Sequence, residues 1–122
     1  DIDNFKEIND SCGHPYGDEV LKIIAHIIKQ NTRHSDLSFR YGGDEFALIL
    51  PGTSKEDALQ VCMNIQSSLN DDRHFTEGAC HPTMSMGICE WSGNMTSDDI
   101  IKAADEAMYL SKEEGKNRIK MF

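Results

Sequence analysis

The sequence predicts a mixed α+β fold, with a central β-sheet flanked by helices and an antiparallel hairpin built into the sheet. Three observations point there. Helical stripes and short β-type runs intermingle along the 122 residues instead of separating into halves. The stretch RYGGDEFALIL, residues 40–50, sets two glycines between strand-like runs, which signals a hairpin. A chain that is 39% hydrophobic and 27% charged has a normal globular balance, and its length suits one domain with one core.

Residues 4–12 carry Phe5, Ile8 and Cys12 at helical spacing and predict a short helix ending near Gly13. GHPYGD, residues 13–18, reads as a turn. From Asp18 to about His34, Val20, Leu21, Ile24, Ile27 and Ile28 form a wide helical stripe. Asp18 and Glu19 suit the positive end of that helix's dipole. Residues 38–41 and 45–50 predict two strands joined by a tight turn at Gly42 and Gly43, where glycine would permit positive φ. Pro51-Gly52 ends the hairpin.

Ser54, with Asp57 three residues on, caps a third helix whose buried face is Ala58, Val61, Cys62, Ile65 and Leu69. Residues 70–82 read as irregular. In residues 83–91 Met84, Met86 and Ile88 alternate with Ser85, Gly87 and Cys89, a strand pattern. Thr96 or Ser97 opens a last helix through Ile100, Ala103, Ala104, Ala107 and Met108, which Gly115 stops. Residues 118–122 form a final strand. Asp1-Ile2-Asp3 suits the carboxyl end of a strand. The abrupt start without Met is expected of a segment cut from a longer protein, lacking an N-terminal helix and a first half-strand.

Charge excludes one class of partner. The formal net charge of -9 repels DNA and RNA backbones, so no nucleic-acid partner is expected. A small phosphate ligand held by metal ions and local cations remains compatible. The four cysteines show no zinc-knuckle or thioredoxin-like spacing and read as reduced, buried thiols. No signal peptide or long apolar run is evident, so a cytoplasmic domain is expected, with any membrane anchor lying upstream.

Four stretches in order, DIDNFKEIND, GHPYGDEVL, RYGGDEF and ADEAMYLSKEEGKN, make the chain resemble the GGDEF family of diguanylate cyclases across essentially its whole length. The resemblance implies a palm-like fold of the nucleotidyl-cyclase type. It implies condensation of two GTP molecules into cyclic di-GMP with release of two pyrophosphates, in a homodimer holding one GTP per domain. It also implies Mg2+ or Mn2+, two ions per site, and an upstream sensor or dimerisation domain.

The chemistry suits the residues. Phosphoryl transfer rests on positioning and charge neutralisation, so it uses carboxylates that hold divalent ions. The resemblance assigns metal binding to Asp1, the Ile2 carbonyl, Asp44 and Glu45. It assigns catalysis to Asp44, Glu45 and Lys6. Asp44 ranks as ligand before base, because a bound cation depresses a carboxylate's pKa. Asn9 and Asp18 are expected to read guanine, the carboxylate accepting from N1–H and N2–H, which adenine does not offer as a pair. His14 is expected to line the base pocket from the loop between them. The backbone at Asn4 and Phe5, the glycines Gly42 and Gly43, and the late cations Lys112 and Lys116 are expected to meet the nucleotide and its phosphates. Arg33 and Asp36 match an RxxD inhibitory site for the product. Asn64 occupies the position where some relatives add a second arginine. A catalytically silent module that binds GTP or cyclic di-GMP is the alternative.

Overall fold

The computed structural model describes all of residues 1–122. The elements are α1 (Phe5–Cys12), α2 (His14–Gln30), β1 (Leu37–Arg40), β2 (Phe46–Ile49), α3 (Lys55–Asp71), α4 (Arg73–Thr76), β3 (Met86–Ile88), α5 (Ser97–Glu113) and β4 (Ile119–Met121). The expected order recurs with one addition. The single turn α4 lies in the stretch read as irregular, capped by Asp72, whose carboxylate accepts from the His74 N–H at 2.9 Å. That turn drives Phe75 into the core, where it is 1% exposed.

The mixed α+β class holds, and the sheet is divided. β1 and β2 pair antiparallel, from Leu37 opposite Ile49 to Arg40 opposite Phe46. β3 and β4 pair parallel, with Met86 opposite Ile119. A parallel pair needs a crossover, and α5 supplies it. Residues 1–3 stitch the two pairs together. The Ile2 N–H donates to the Asp44 carbonyl at 3.0 Å, and the Asp3 N–H donates to the Thr83 carbonyl at 2.8 Å. The Ser85 N–H donates back to the Asp1 carbonyl at 3.0 Å, and Ile2 bridges Met84.

The helices pack as their stripes direct. Ile8 of α1, Val20, Ile24, Ile27 and Ile28 of α2, and Ile65 and Leu69 of α3 share one core with Ile2 and Met84. Ser54 caps α3, its hydroxyl accepting from the Asp57 N–H. Thr96 and Asp99 form a reciprocal capping box on α5. Gly87 lets α5 lie directly on β3: a Cβ there would stand 2.0 Å from the Ala104 carbonyl oxygen.

Four local expectations are corrected. Within the stretch 13–18, residues 14–18 are helix and not turn, because α2 begins at His14. Pro15 sits in its first turn, where no N–H bond is lost and the fixed φ is already helical. Residues 41–45 form a five-residue loop in place of a two-residue turn, closed by the Tyr41 and Gly42 N–H groups on the Glu45 carbonyl. Gly42 and Gly43 are not left-handed; the glycines with positive φ are Gly13, Gly52, Gly93 and Gly115. Gly42 serves space instead, since a Cβ there would meet a Glu45 carboxylate oxygen at 2.6 Å. Finally, Cys12 and Cys80 are joined as a disulfide, while Cys62 and Cys89 are free. Folding brings the end of α1 to the loop before β3, a meeting across 68 residues that spacing does not reveal.

Candidate active site

The site grows from residues 1–4, where an extended segment turns into α1. Ile2 is 1% exposed and anchors the segment in the core. Its neighbours Asp1 and Asp3 are therefore held at fixed positions and are themselves buried. Asn4 makes the turn in the left-handed region, at φ 54, and leaves the first N–H groups of α1 without intrahelical acceptors.

Asp1 and Asp44, distant in sequence, come together through the Ile2–Asp44 backbone bond. Asp3, Asp44 and Glu45 also lie near the Asp1 backbone nitrogen. Lys112 reaches across from the last turn of α5 and pairs with Asp1 Oδ1 at 2.5 Å. The Ile2 carbonyl accepts no backbone hydrogen bond. Glu45 lies over Gly42, and Arg40 ties the loop by donating to the Gly42 and Gly43 carbonyls.

This donor set fits a hard divalent cation in part. It offers carboxylates and a free carbonyl, all oxygen. No group of three or more His, Cys, Asp or Glu side chains forms a ready cage. Magnesium takes few protein ligands and completes its shell with phosphate oxygens and water, so an open set is the chemistry expected of it.

A second group of candidates lies between α1 and α2. Asn9 rests on Gly17, where a Cβ would overlap its Oδ1 at 1.8 Å. Asp18 follows Gly17 on α2, and His14 is the first residue of that helix, not a loop residue. His14 and Asp18 are exposed. Lys6 is exposed on the first turn of α1.

Lys116 stands beside the first group: its ammonium donates to Asn4 Oδ1. It belongs to a turn in which Gly115, Lys116 and Asn117 all have positive φ. The segment 114–120 lines an open, mostly polar cavity of about 570 Å³ that includes Lys116, Arg118 and Lys120.

Arg33 and Asp36 are not part of this assembly. They lie at the end of the hairpin away from the 41–45 loop, roughly 13 Å of strand distant. Arg33 pairs with Asp36 at 2.9 Å and also donates to the Pro51 carbonyl and to Thr53 Oγ1. Their hydrogen bond lowers the Asp36 pKa and raises that of Arg33. Asn64 only accepts from Gln60, one turn earlier on α3.

Several residues that shape the site escaped sequence reasoning. Asp3 accepts from Thr83 Oγ1 at 2.8 Å, Ser85 Oγ at 2.7 Å and the Asn117 N–H at 3.0 Å. Gln66 of α3 donates to both oxygens of Asn117. The one available signal was Asp3 itself, a second acid flanking a core isoleucine.

Known proteins share this fold. The chain is 40% identical over 119 residues to Diguanylate cyclase DgcM of Escherichia coli, covering 98% of this chain and 28% of that protein. It thus spans between a quarter and a third of the length of such relatives. The GGDEF domain of PA1120 (YfiN or TpbB) from Pseudomonas aeruginosa superposes with a TM-score of 0.90 at 37% identity, over 99% of this chain and 77% of that one. The GGDEF domain of DgcB from Caulobacter crescentus, solved in complex with c-di-GMP, gives 0.87 at 31% identity, over 99% and 73%. With the family model described as "Diguanylate cyclase, GGDEF domain" matching residues 1–118, the chain belongs to the GGDEF domain family.

Proposed function

We propose that this domain is a diguanylate cyclase that joins two GTP molecules into cyclic di-GMP and releases two pyrophosphates. The meeting of Asp1, the unpartnered Ile2 carbonyl and the Asp44–Glu45 loop, with Lys112 and Lys116 beside them, carries the reading. Relatives named as diguanylate cyclases and a relative solved with c-di-GMP support it.

Asn9 and Asp18 hold the guanine edge, with His14 beside them. The α1 N–H groups near Asn4 and Phe5, with Lys6, Lys112 and Lys116, hold the phosphates. Gly42 and Gly43 keep side chains away from the nucleotide. Two ions of Mg2+ or Mn2+, held by Asp1, the Ile2 carbonyl, Asp44 and Glu45, would neutralise phosphate charge and polarise the α-phosphate. Each GTP 3′-hydroxyl attacks the α-phosphorus of the other nucleotide, so two domains must face one another. Lys112 leaves Asp1 for a phosphate when nucleotide enters, because an ammonium pairs with whichever anion is less neutralised. Arg33 and Asp36 bind the product at a separate inhibitory site, where the guanidinium can stack and fork. The substrate is a cytosolic metabolite, so the domain works in the cytoplasm, under a sensor or dimerisation segment upstream. An extended strand preceding Asp1 would lie between the two strand pairs.

The test is incubation with GTP and magnesium at rising protein concentration, alone and fused to a dimeric coiled coil, with cyclic di-GMP quantified by chromatography. Product should appear, and specific activity should rise with concentration. Asp44→Ala should lower the rate about a hundredfold or more. No product in either form, or an unimpaired Asp44→Ala, overturns the proposal.

A further inference from the structure

The buried carboxylate of Asp3 has no part in the mechanism above, yet it accepts three hydrogen bonds. It is 3% exposed, and its three donors come from two places: the strand that leads into β3, and the turn between α5 and β4. Thr83 and Ser85 occupy two of its acceptor positions and fix the orientation of the carboxylate. The remaining bond goes to the Asn117 backbone N–H at 3.0 Å.

That turn needs an external hold. Gly115, Lys116 and Asn117 are consecutive residues at φ 115, 63 and 48, and two of them carry side chains. Asparagine tolerates the left-handed region better than most residues with a Cβ, but lysine pays for it, and two such residues in succession are uncommon without a restraint. The restraints converge on this turn: Asp3 accepts from the Asn117 N–H, Gln66 donates to the Asn117 carbonyl and side-chain oxygens, and the Ser111 carbonyl accepts from the Lys116 N–H. Among these, the Asp3 bond alone ties the turn to the segment that carries Asp1 and Ile2. With Asn117 pinned, the Lys116 ammonium is aimed at Asn4, at the entrance to α1.

We propose that Asp3 is a positioning residue for polyphosphate recognition. Its carboxylate holds the 115–117 turn in the left-handed conformation and so registers the Lys116 ammonium with Asn4, the first N–H groups of α1 and the neighbouring acids. The role rests on the reading of Lys116 as a phosphate contact. Asp3 touches no substrate and acts through Asn117.

The experiment has two arms. In the first, amide hydrogen exchange is followed at residues 115–118 in the nucleotide-free chain. Asp3→Asn presents an amide in which one oxygen acceptor is replaced by a donor, so exchange at Asn117 should quicken about tenfold or more while α2 keeps its protection. In the second, the affinities of GTP and guanosine are compared in magnesium. Asp3→Asn should weaken GTP about tenfold and leave guanosine unchanged, because only the phosphate contacts are misplaced. Thr83→Val removes one orienting hydroxyl and should show the same selective loss in smaller measure, and Thr83→Ser should restore it. These Thr83 variants decide the matter if Asp3→Asn does not fold. Unchanged exchange at Asn117, or an equal loss for GTP and guanosine, overturns the proposal. A parent chain that binds neither nucleotide defeats the function proposed above, and the exchange arm then still decides whether Asp3 holds the turn.

Discussion

At the scale of single residues, two glycines show how a missing side chain sets up chemistry. Gly17 and Gly87 both sit where a Cβ has no room, but the obstacles differ. At Gly17 the obstacle is the Asn9 side chain, at 1.8 Å from its Oδ1 and 2.9 Å from its Cγ. A side chain can rotate away, and alanine favours the helix interior by about 1 kcal/mol over glycine. Gly17→Ala should therefore change the melting temperature little while weakening GTP binding, because Asn9 is displaced. Titration with GTP beside a thermal melt checks both halves. At Gly87 the obstacles are backbone atoms of α5, at 2.0 and 2.4 Å. Gly87→Ala should lower stability by about 1–3 kcal/mol or more in denaturant titration, since a helix cannot step aside. Of the glycines that drew attention in the sequence, Gly42 proves to be a matter of space and not of unusual φ, while a Cβ at Gly43 would meet nothing within 4 Å. Sequence marks a glycine; only packing tells which need it meets.

At the scale of elements, the helix starts obey local chemistry. Ser54-Asp57 was readable as a cap, and the start of α5 to within Thr96 or Ser97, because a cap involves only neighbours within one turn; the structure adds Asp99 as the partner of Thr96. Asp99 accepts from the Thr96 N–H and hydroxyl, and these bonds hold its pKa below the ordinary 3.8. Asp36 is lowered likewise, first by the Arg33 side chain and then by the Arg33 N–H. A carboxyl group with a depressed folded-state pKa stabilises the fold above its unfolded value, and that contribution is lost as pH falls through the folded value. Thermal stability should thus decline once pH drops below about 4, and Asp99→Asn should melt lower at neutral pH yet lose less on acidification. Melts across that range read the outcome. Where the element reading went astray, a competing local preference was responsible. GHPYGD holds the residues of a turn, yet proline at the start of a helix costs nothing, and burial of Val20 and Ile24 one turn further on favours helix over the whole stretch.

At the scale of the molecule, closure depends on contacts that span the chain. The Cys12–Cys80 bond links the end of α1 to the loop before β3 across 68 residues. Tyr16 supports the same junction by donating to the Cys80 carbonyl at 2.8 Å and stacking on His74. In the chain-entropy account, a loop of that length makes the oxidised form more stable by about 4 kcal/mol. Reduction should therefore lower the denaturation midpoint, and Cys12→Ser should reproduce the loss and become insensitive to reductant. Under native conditions, thiol titration of the oxidised chain should count at most two reactive groups. Cys62 should react slowly, because burial pushes its thiol up to about 11.

The amino-acid sequence by itself determined four of the five helices, the hairpin, the Ser54 cap and the family, because each of these is written in residues close together or in motifs that keep their order. It named Asp1, Asp44, Lys112 and Lys116 through resemblance, one residue at a time. Only the tertiary structure decided what touches what. It joined Asp1 to Lys112 across 111 positions and brought Asp44 to the Ile2 N–H. It buried Asp3 under Thr83, Ser85 and the Asn117 N–H, and it paired two cysteines that look unrelated. The reason is physical. Periodicity and capping are short-range properties of a polymer, whereas the environment of a carboxylate or a thiol is set by whichever distant segments the packed core brings against it.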